Sequence, residues 1–164
     1  MKVKGKRIVY QLETRRMPDG RTTTLDVIYH PGAVLIVPFL NANQLVFIRQ
    51  YRAILKEYLY ELPAGTLNPK ENLLSCAKRE LAEEIGYGAK SWKKLGKIYP
   101  VPGYSTEVIH IFKAQKLFPQ KAKMDDDEMI EPIVLTRRQA QEYFKRGKIE
   151  DGKTICGLAL AGWL

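Results

Sequence analysis

The sequence predicts an α+β fold, an α/β/α sandwich around a mixed β-sheet, with an extra N-terminal segment of β-strands. Three observations predict it. Strand-like segments crowd the first part of the chain, whereas helical ones are few and irregularly placed, unlike regular βαβ winding. The segment AVLIVPFL (33–40) is apolar on both faces, as a central strand covered on both sides would be. A 164-residue chain with 45% hydrophobic and 27% charged residues suits one core of ordinary globular composition.

The elements follow in order. RIVYQL (7–12) and TTTLDVIY (22–29) are rich in β-formers and flank MPDG (17–20), a turn signal. The strands 33–40 and 45–52 flank NANQ, a second hairpin turn, and 57–62 is one more strand, ended by Pro63. The best helix is 69–85, with Asn68 as cap, Pro69 at the first position, Glu71 as a capping-box glutamate and Gly86 as the stop. Strands are expected near 95–101 and 107–115, then a polar loop at 121–128 and a strand at 129–135. Thr136 caps a helix running to about Arg146, Gly147 ends it, and Asp151 starts a last helix to Leu164.

The balance of 27 Lys+Arg against 18 Asp+Glu gives a net charge of +9 and implies an anionic partner. The cations are spread along the chain, which favours a small anionic substrate over a nucleic-acid stripe. Nucleic acid and membrane are therefore not expected as partners. The two cysteines, Cys76 and Cys156, form no CxxC pair and read as small core fillers. No apolar run is long enough to span a bilayer and the start has no apolar leader, so the protein is read as soluble and cytoplasmic.

Against this basic background, 61–87 carries glutamates in a pattern that breaks local rules. On a helical wheel with Glu80 at zero, Glu84 lies at about +40° and Glu83 at about −60°, beside an oily stripe of Leu74, Leu81 and Ile85 at about +100° to +140°. Like charges at this spacing repel, and they sit near the helix C-terminus, where the macrodipole disfavours anions. A divalent cation would compensate, since hard cations take oxygen ligands. A solvated acidic face is the bland alternative for RELAEE alone. The wider set of fixed positions would coincide by chance on the order of once per billion starting points.

That set, Gly65-x5-Glu71-x7-Arg79-Glu80-Leu81-x-Glu83-Glu84-x-Gly86, resembles the Nudix box. Tyr87 stands where the box usually has an aliphatic residue, a departure at a packing position. The resemblance implies a Nudix fold and a pyrophosphohydrolase acting on a nucleoside diphosphate linked to another moiety. It implies Glu80, Glu83 and Glu84, with the Ala64 carbonyl, as ligands of Mg²⁺, with Mn²⁺ as the alternative, and Glu71 with Arg79 as an internal pair. The flanks RQYR (49–52), ELPAG (61–65) and PVPGYSTEV (100–108) resemble the ADP-ribose and nucleoside diphosphate sugar pyrophosphatases, in which a proline follows the box by about fifteen residues, here Pro102. Arg52 is expected near the pyrophosphate, because an arginine fork binds two phosphate oxygens at once. Arg49 is a second candidate, although three positions along a strand need not share a face. Glu107 matches a position near the sugar.

The resemblance further implies metal-assisted attack of water on phosphorus, giving AMP and ribose 5-phosphate from ADP-ribose. The general base maps onto Glu128 in the acidic loop, with Glu83 as competitor and a solvated turn as the alternative for the loop. Residues 1–30 are read as an N-terminal β segment that pairs across a homodimer and helps form the base pocket, and 31–164 as the Nudix hydrolase domain. Rival readings are hydrolysis of dinucleoside polyphosphates or nucleoside triphosphates, and a non-catalytic nucleotide sensor or basic nucleic-acid-binding module. Tyr10, Tyr29 and Phe39 are read as core residues rather than a stacking face. His110 is read as a strand residue with its own hydrogen bond, and His30 as serving a turn; neither is assigned a catalytic role.

Overall fold

The computed structural model of the protein describes residues 2–122 and 129–164. The N-terminal residues form their own antiparallel sheet of β1 (Lys2–Lys4), β2 (Val9–Arg16) and β3 (Thr22–Tyr29). The 17–20 turn joins β2 to β3: the Gly20 N–H donates to the Met17 carbonyl at 2.9 Å, with Gly20 at a φ of 86° that suits glycine.

The main sheet contains β4 (Ala33–Asn41), β5 (Gln44–Arg52), β6 (Glu57–Glu61), β7 (Ala64–Thr66), β8 (Tyr87–Ile98), β9 (Ile109–Pro119) and β10 (Ile130–Thr136). Its order is β10-β5-β4-β9-β8, with β6 on β5 and β7 on β4. The β4–β9 pair is parallel and the β4–β5 pair antiparallel, so the sheet is mixed. The helices are α1 (Leu73–Ile85), α2 (Arg137–Lys145) and α3 (Gly152–Leu160).

The unbroken apolar run of β4 is explained by its two neighbours in depth. Val34 and Ile36 pack with Cys76, Ala77, Leu81 and Ile85 of α1 on one face. Leu35 and Val37 pack with Ala140 of α2, Leu158 of α3 and Trp163 on the other. All four β4 side chains are fully buried, each contributing roughly 1.5–3 kcal/mol of transfer free energy. The α/β/α sandwich is thus the one expected.

Several expectations need correction. The helix at 69–85 begins only at Leu73, and Asn72, not Asn68, caps it by accepting from the Ser75 N–H at 2.9 Å. The reason is Lys70, whose φ of 65° turns the chain out of helical geometry. Leu74, placed on the oily stripe, is exposed, and Leu73 packs against the α1 cluster instead. The strand at 95–101 is the end of a longer one, β8, that starts at Tyr87 directly after the Gly86 cap. Its lysines hide the β pattern, and an edge strand tolerates them. β1 and β7, at three residues each, are too short to show a period. The last helix stops at Leu160, where Gly162 takes a φ of 71°. By contrast Thr136 caps α2 with the full reciprocal capping box and Gly147, at φ 65°, lies just beyond its end.

Tyr10 and Tyr29 are not core residues. They lie on the N-terminal sheet, where Tyr10 donates to Asp26 and Tyr29 to Glu13. Phe39 is buried edge-on against Trp163 at 5.8 Å, as read. His110 does lie on a strand, but its buried Nδ1 has no hydrogen-bond partner among the described residues. Burial, with Lys94 and Lys97 nearby, holds its pKa below the ordinary imidazole value.

Candidate active site

The site grows from the loop between β7 and α1. The Glu71 N–H donates to the Asn68 carbonyl, and the Asn68 N–H donates to Glu71 Oε2, both at 3.0 Å. Glu71 is then anchored from the helix. Arg79 Nε and Nη2 donate to its two carboxylate oxygens at 2.9 and 3.0 Å. The same guanidinium reaches Glu80 Oε1 at 2.7 Å and Glu83 Oε2 at 2.9 Å through Nη1, and the Thr66 carbonyl at 3.3 Å through Nη2. One cation therefore offsets the repulsion of three carboxylates and ties loop to helix. The Arg79 hydrogen bonds hold the Glu71 carboxyl down at about 2, and Glu71 in turn raises Arg79.

The glutamates are not a solvated face. Glu80 and Glu84 are buried, and Glu83 is half-buried. On the wheel, α1 is buried from Cys76 at about −40° round to Ala82 at about +200°, so Glu80 and Glu84 lie inside the buried arc rather than beside it. They turn toward β7. Glu84 Oε2 accepts from the Ala64 N–H at 3.0 Å. Glu80 occupies the space a side chain at Gly65 would need, since a Cβ there would stand 1.8 Å from its Cδ and Oε1. The demand for glycine at Gly65 is thus steric.

Hard oxygen donors, a glycine cradle and an adjoining cavity suit a hard divalent cation. Among the described residues no three carboxylate, imidazole or thiol side chains already converge as a metal cage. Magnesium commonly takes only one or two carboxylates, completing its shell with water and substrate phosphate, so an open donor set fits it.

Glu80, Glu83, Arg79, Ala64 and Gly65 line a cavity of about 1050 Å³. Further cations line it too: Arg52 from β5, Lys153 from α3, and Lys6 and Arg7 from the N-terminal segment. Glu61, fully buried at the end of β6, organises two of them. It accepts from Arg52 Nε at 2.6 Å, from Arg52 Nη2, and from Lys153 Nζ. Lys153 Nζ also donates to Asp151 Oδ1 at 2.9 Å. Burial alone would raise the Glu61 carboxyl, but the Arg52 hydrogen bond and the Lys153 charge outweigh it and hold it low. The Glu61 bond correspondingly raises Arg52.

The expected residues divide. Arg52, Glu80, Glu83, Ala64 and Glu107 all line the cavity. Glu107 lies 3.8 Å from His30 Nε2, and His30 Nδ1 accepts from the Gly32 N–H at 3.0 Å, so His30 serves its turn as read. Glu84 lies behind Ala64. Arg49 points away, stacked 4.0 Å over the Tyr58 ring and 3.6 Å from Glu131. Pro102 is exposed in the 102–104 turn and is not on the cavity wall. Glu128 lies outside the described residues. Cys76 is a core filler as expected, and Cys156, half-buried, packs against the core as expected and also lines the cavity.

Sequence reasoning missed Glu61, Lys153, Lys6 and Arg7. No periodicity or motif links Glu61 to Lys153, 92 residues away. Only the docking of α3 beside β6 brings them together. Lys6 and Arg7 reach the cavity because the end of β3 is clipped to the loop before β9: the Ile28 N–H donates to the Tyr104 carbonyl at 2.7 Å and the Thr106 N–H to the Ile28 carbonyl at 2.9 Å.

The box geometry and the sandwich define a class, and the NUDIX domain family model matches residues 29–156. The chain belongs to the Nudix hydrolase family. It is similar to the ADP-ribose pyrophosphatase of Bacillus subtilis (strain 168), 32% identical over 152 residues, covering 92% of this chain and 82% of that protein. It is likewise similar to the methanol dehydrogenase activator of Bacillus methanolicus, 35% identical over 153 residues, covering 92% of this chain and 83% of that one. A GDP-mannose pyrophosphatase of Escherichia coli (strain SMS-3-5 / SECEC) is 35% identical over 133 residues, covering 76% and 69%. A crystal structure of an ADP compounds hydrolase shares the fold, with a TM-score of 0.84 at 23% identity over 97% of this chain and 86% of that one. Among the described residues no helix is long and apolar enough to cross a membrane.

Proposed function

We propose that this Nudix hydrolase is a Mg²⁺-dependent pyrophosphohydrolase that cleaves the diphosphate of ADP-ribose and related nucleoside diphosphate sugars to a nucleoside monophosphate and a sugar phosphate. The observation that carries the reading is one cavity lined both by the carboxylates Glu80 and Glu83 and by the cations Arg52 and Lys153. A diphosphate is the ligand that needs both, a cation-holding oxygen set and fixed positive charge. The relatives named for ADP-ribose and GDP-mannose add support.

In this mechanism Glu80, Glu83 and Glu84, with the Ala64 carbonyl, would hold Mg²⁺, or Mn²⁺ in its place. Such an ion neutralises phosphate charge and acidifies bound water when present. Arg79 keeps Glu80 and Glu83 together, and Glu71 keeps Arg79 in place. Arg52 binds the diphosphate oxygens, and Glu107 lies toward the sugar. A carboxylate, Glu128 or its competitor Glu83, takes the proton of the attacking water. Glu128→Gln should lower turnover by on the order of 10²–10⁴-fold with little change in KM. Turnover equal to wild type would remove Glu128 from the chemistry.

Residues 1–30 are assigned to dimerisation and the base pocket, and 31–164 to the hydrolase domain. Supporting this, Val3, Ile8 and Leu12 of the N-terminal segment are exposed while Lys6 and Arg7 line the cavity. A homodimer in the cytoplasm follows, and a monomer mass in solution would overturn the dimer. The test of function is a panel of nucleoside diphosphate sugars with Mg²⁺, reading phosphate after phosphatase treatment. Release from ADP-ribose or a relative, abolished by EDTA, is expected. Cleavage confined to dinucleoside polyphosphates or nucleoside triphosphates would overturn the substrate class.

A further inference from the structure

Lys153 has a place in the site that the Nudix box does not account for. It stands in the first turn of α3, after the Asp151 cap, whose Oδ2 accepts from the Thr154 N–H at 2.9 Å. Its ammonium and one guanidinium nitrogen of Arg52 touch the same oxygen, Glu61 Oε2. Two cations are therefore held side by side by one carboxylate. That carboxylate has 1% side-chain exposure, while Arg52 has 38% and Lys153 17%. The anion sits behind and the cations face the cavity.

The donors are not exhausted. An ammonium has three N–H groups, and two of Lys153's point to Glu61 and Asp151. A guanidinium has five, and Arg52 directs two at Glu61. Holding a flexible lysine this way removes much of its rotamer freedom before any ligand arrives, which lowers the entropy lost on binding. A purely structural ion pair would gain nothing from lining the cavity, whereas Lys153 lines it together with Arg52.

We propose that Lys153 is a substrate-binding residue that forms, with Arg52, a paired cation seat for the phosphates, and that Glu61 is the positioning residue that sets their spacing. This rests on the diphosphate reading above and deepens it. The seat would grip a diphosphate with cations tied to Glu61 rather than to the metal-holding glutamates.

The test separates the two. Binding of inorganic pyrophosphate to the full-length protein in EDTA is measured by calorimetry for wild type, Lys153→Met, Lys153→Gln and Lys153→Arg. Lys153→Met should weaken binding by about 10- to 100-fold, the loss expected for one charge-assisted bond. Lys153→Arg should restore it to within a few-fold. Lys153→Gln, which can still donate to Glu61 but carries no charge, should bind as weakly as Lys153→Met whichever of the two melts lower, whereas a merely structural role would make the binding loss follow the loss in Tm. With substrate, these losses should fall on KM more than on kcat. Lys153→Met or Lys153→Gln binding pyrophosphate as wild type does, or wild type failing to bind it, would overturn the seat. Cleavage of no nucleoside diphosphate sugar by a protein that still shows the Lys153 effect on pyrophosphate would sink the substrate reading alone.

Discussion

Replacing Gly65 with alanine tests the geometry on which the site depends. Gly65 lies on β7 opposite Val34. The added Cβ would meet Glu80 Cδ and Oε1 at 1.8 Å and Cγ at 2.5 Å. Ordinary carbon contacts are about 3.5–4 Å, so the carboxylate must retreat by about 1.5–2 Å or β7 must lift from β4. Overpacking of this kind costs about 1–3 kcal/mol. The stiffer unfolded chain offsets about 0.4–1 kcal/mol of it. The net loss of roughly 1–2 kcal/mol should lower Tm by about 2–8 °C for a chain of this size. A displacement beyond about 1 Å in a reacting group lowers turnover by about 10²-fold. The assays are a thermal melt and phosphomonoester release from ADP-ribose with Mg²⁺. Gly103→Ala is the control, because a Cβ there meets nothing within 4 Å. Wild-type turnover and Tm in Gly65→Ala would refute the placement of Glu80 against β7.

Further predictions concern the groups around it. Glu71 has a folded pKa of about 2 against an ordinary 4.5. Its stabilisation is therefore fully present above about pH 4.5 and is lost as the pH falls toward 2. Glu71→Gln should cost roughly 1–2 kcal/mol at pH 7, after discounting for solvent screening, and progressively less as the pH falls through about 2, read from urea midpoints across that range. Burial pushes the Cys76 thiol up to about 12, with Glu71 and Glu80 adding to it. Native protein at pH 8 should therefore take up iodoacetamide at Cys156 and not at Cys76, as peptide mass would show, and both should react in urea. Gly157→Ala would press a Cβ to 2.7 Å from Leu35 Cδ2 and 3.0 Å from Leu62 Cδ1. It should lower Tm by several degrees through packing strain.

By itself the sequence determined the elements whose cause is local. The apolar run of β4, the MPDG turn, the Thr136 capping box and the Gly86 stop are each dictated by residues within one turn or one strand. The Nudix glutamates were legible for the same reason, because a helix converts their spacing directly into a shared face. Only the tertiary structure decided which way that face turns. Glu80 and Glu84 are buried because β7 passes beside α1, and no wheel contains β7. Tertiary structure likewise separated Arg49, drawn off by Tyr58 and Glu131, from Arg52, drawn in by Glu61. It also joined Lys153 to Glu61 across 92 residues. Contacts of that separation depend on how α3 docks on the sheet, which is set by the summed packing of the core and not by any short run of residues.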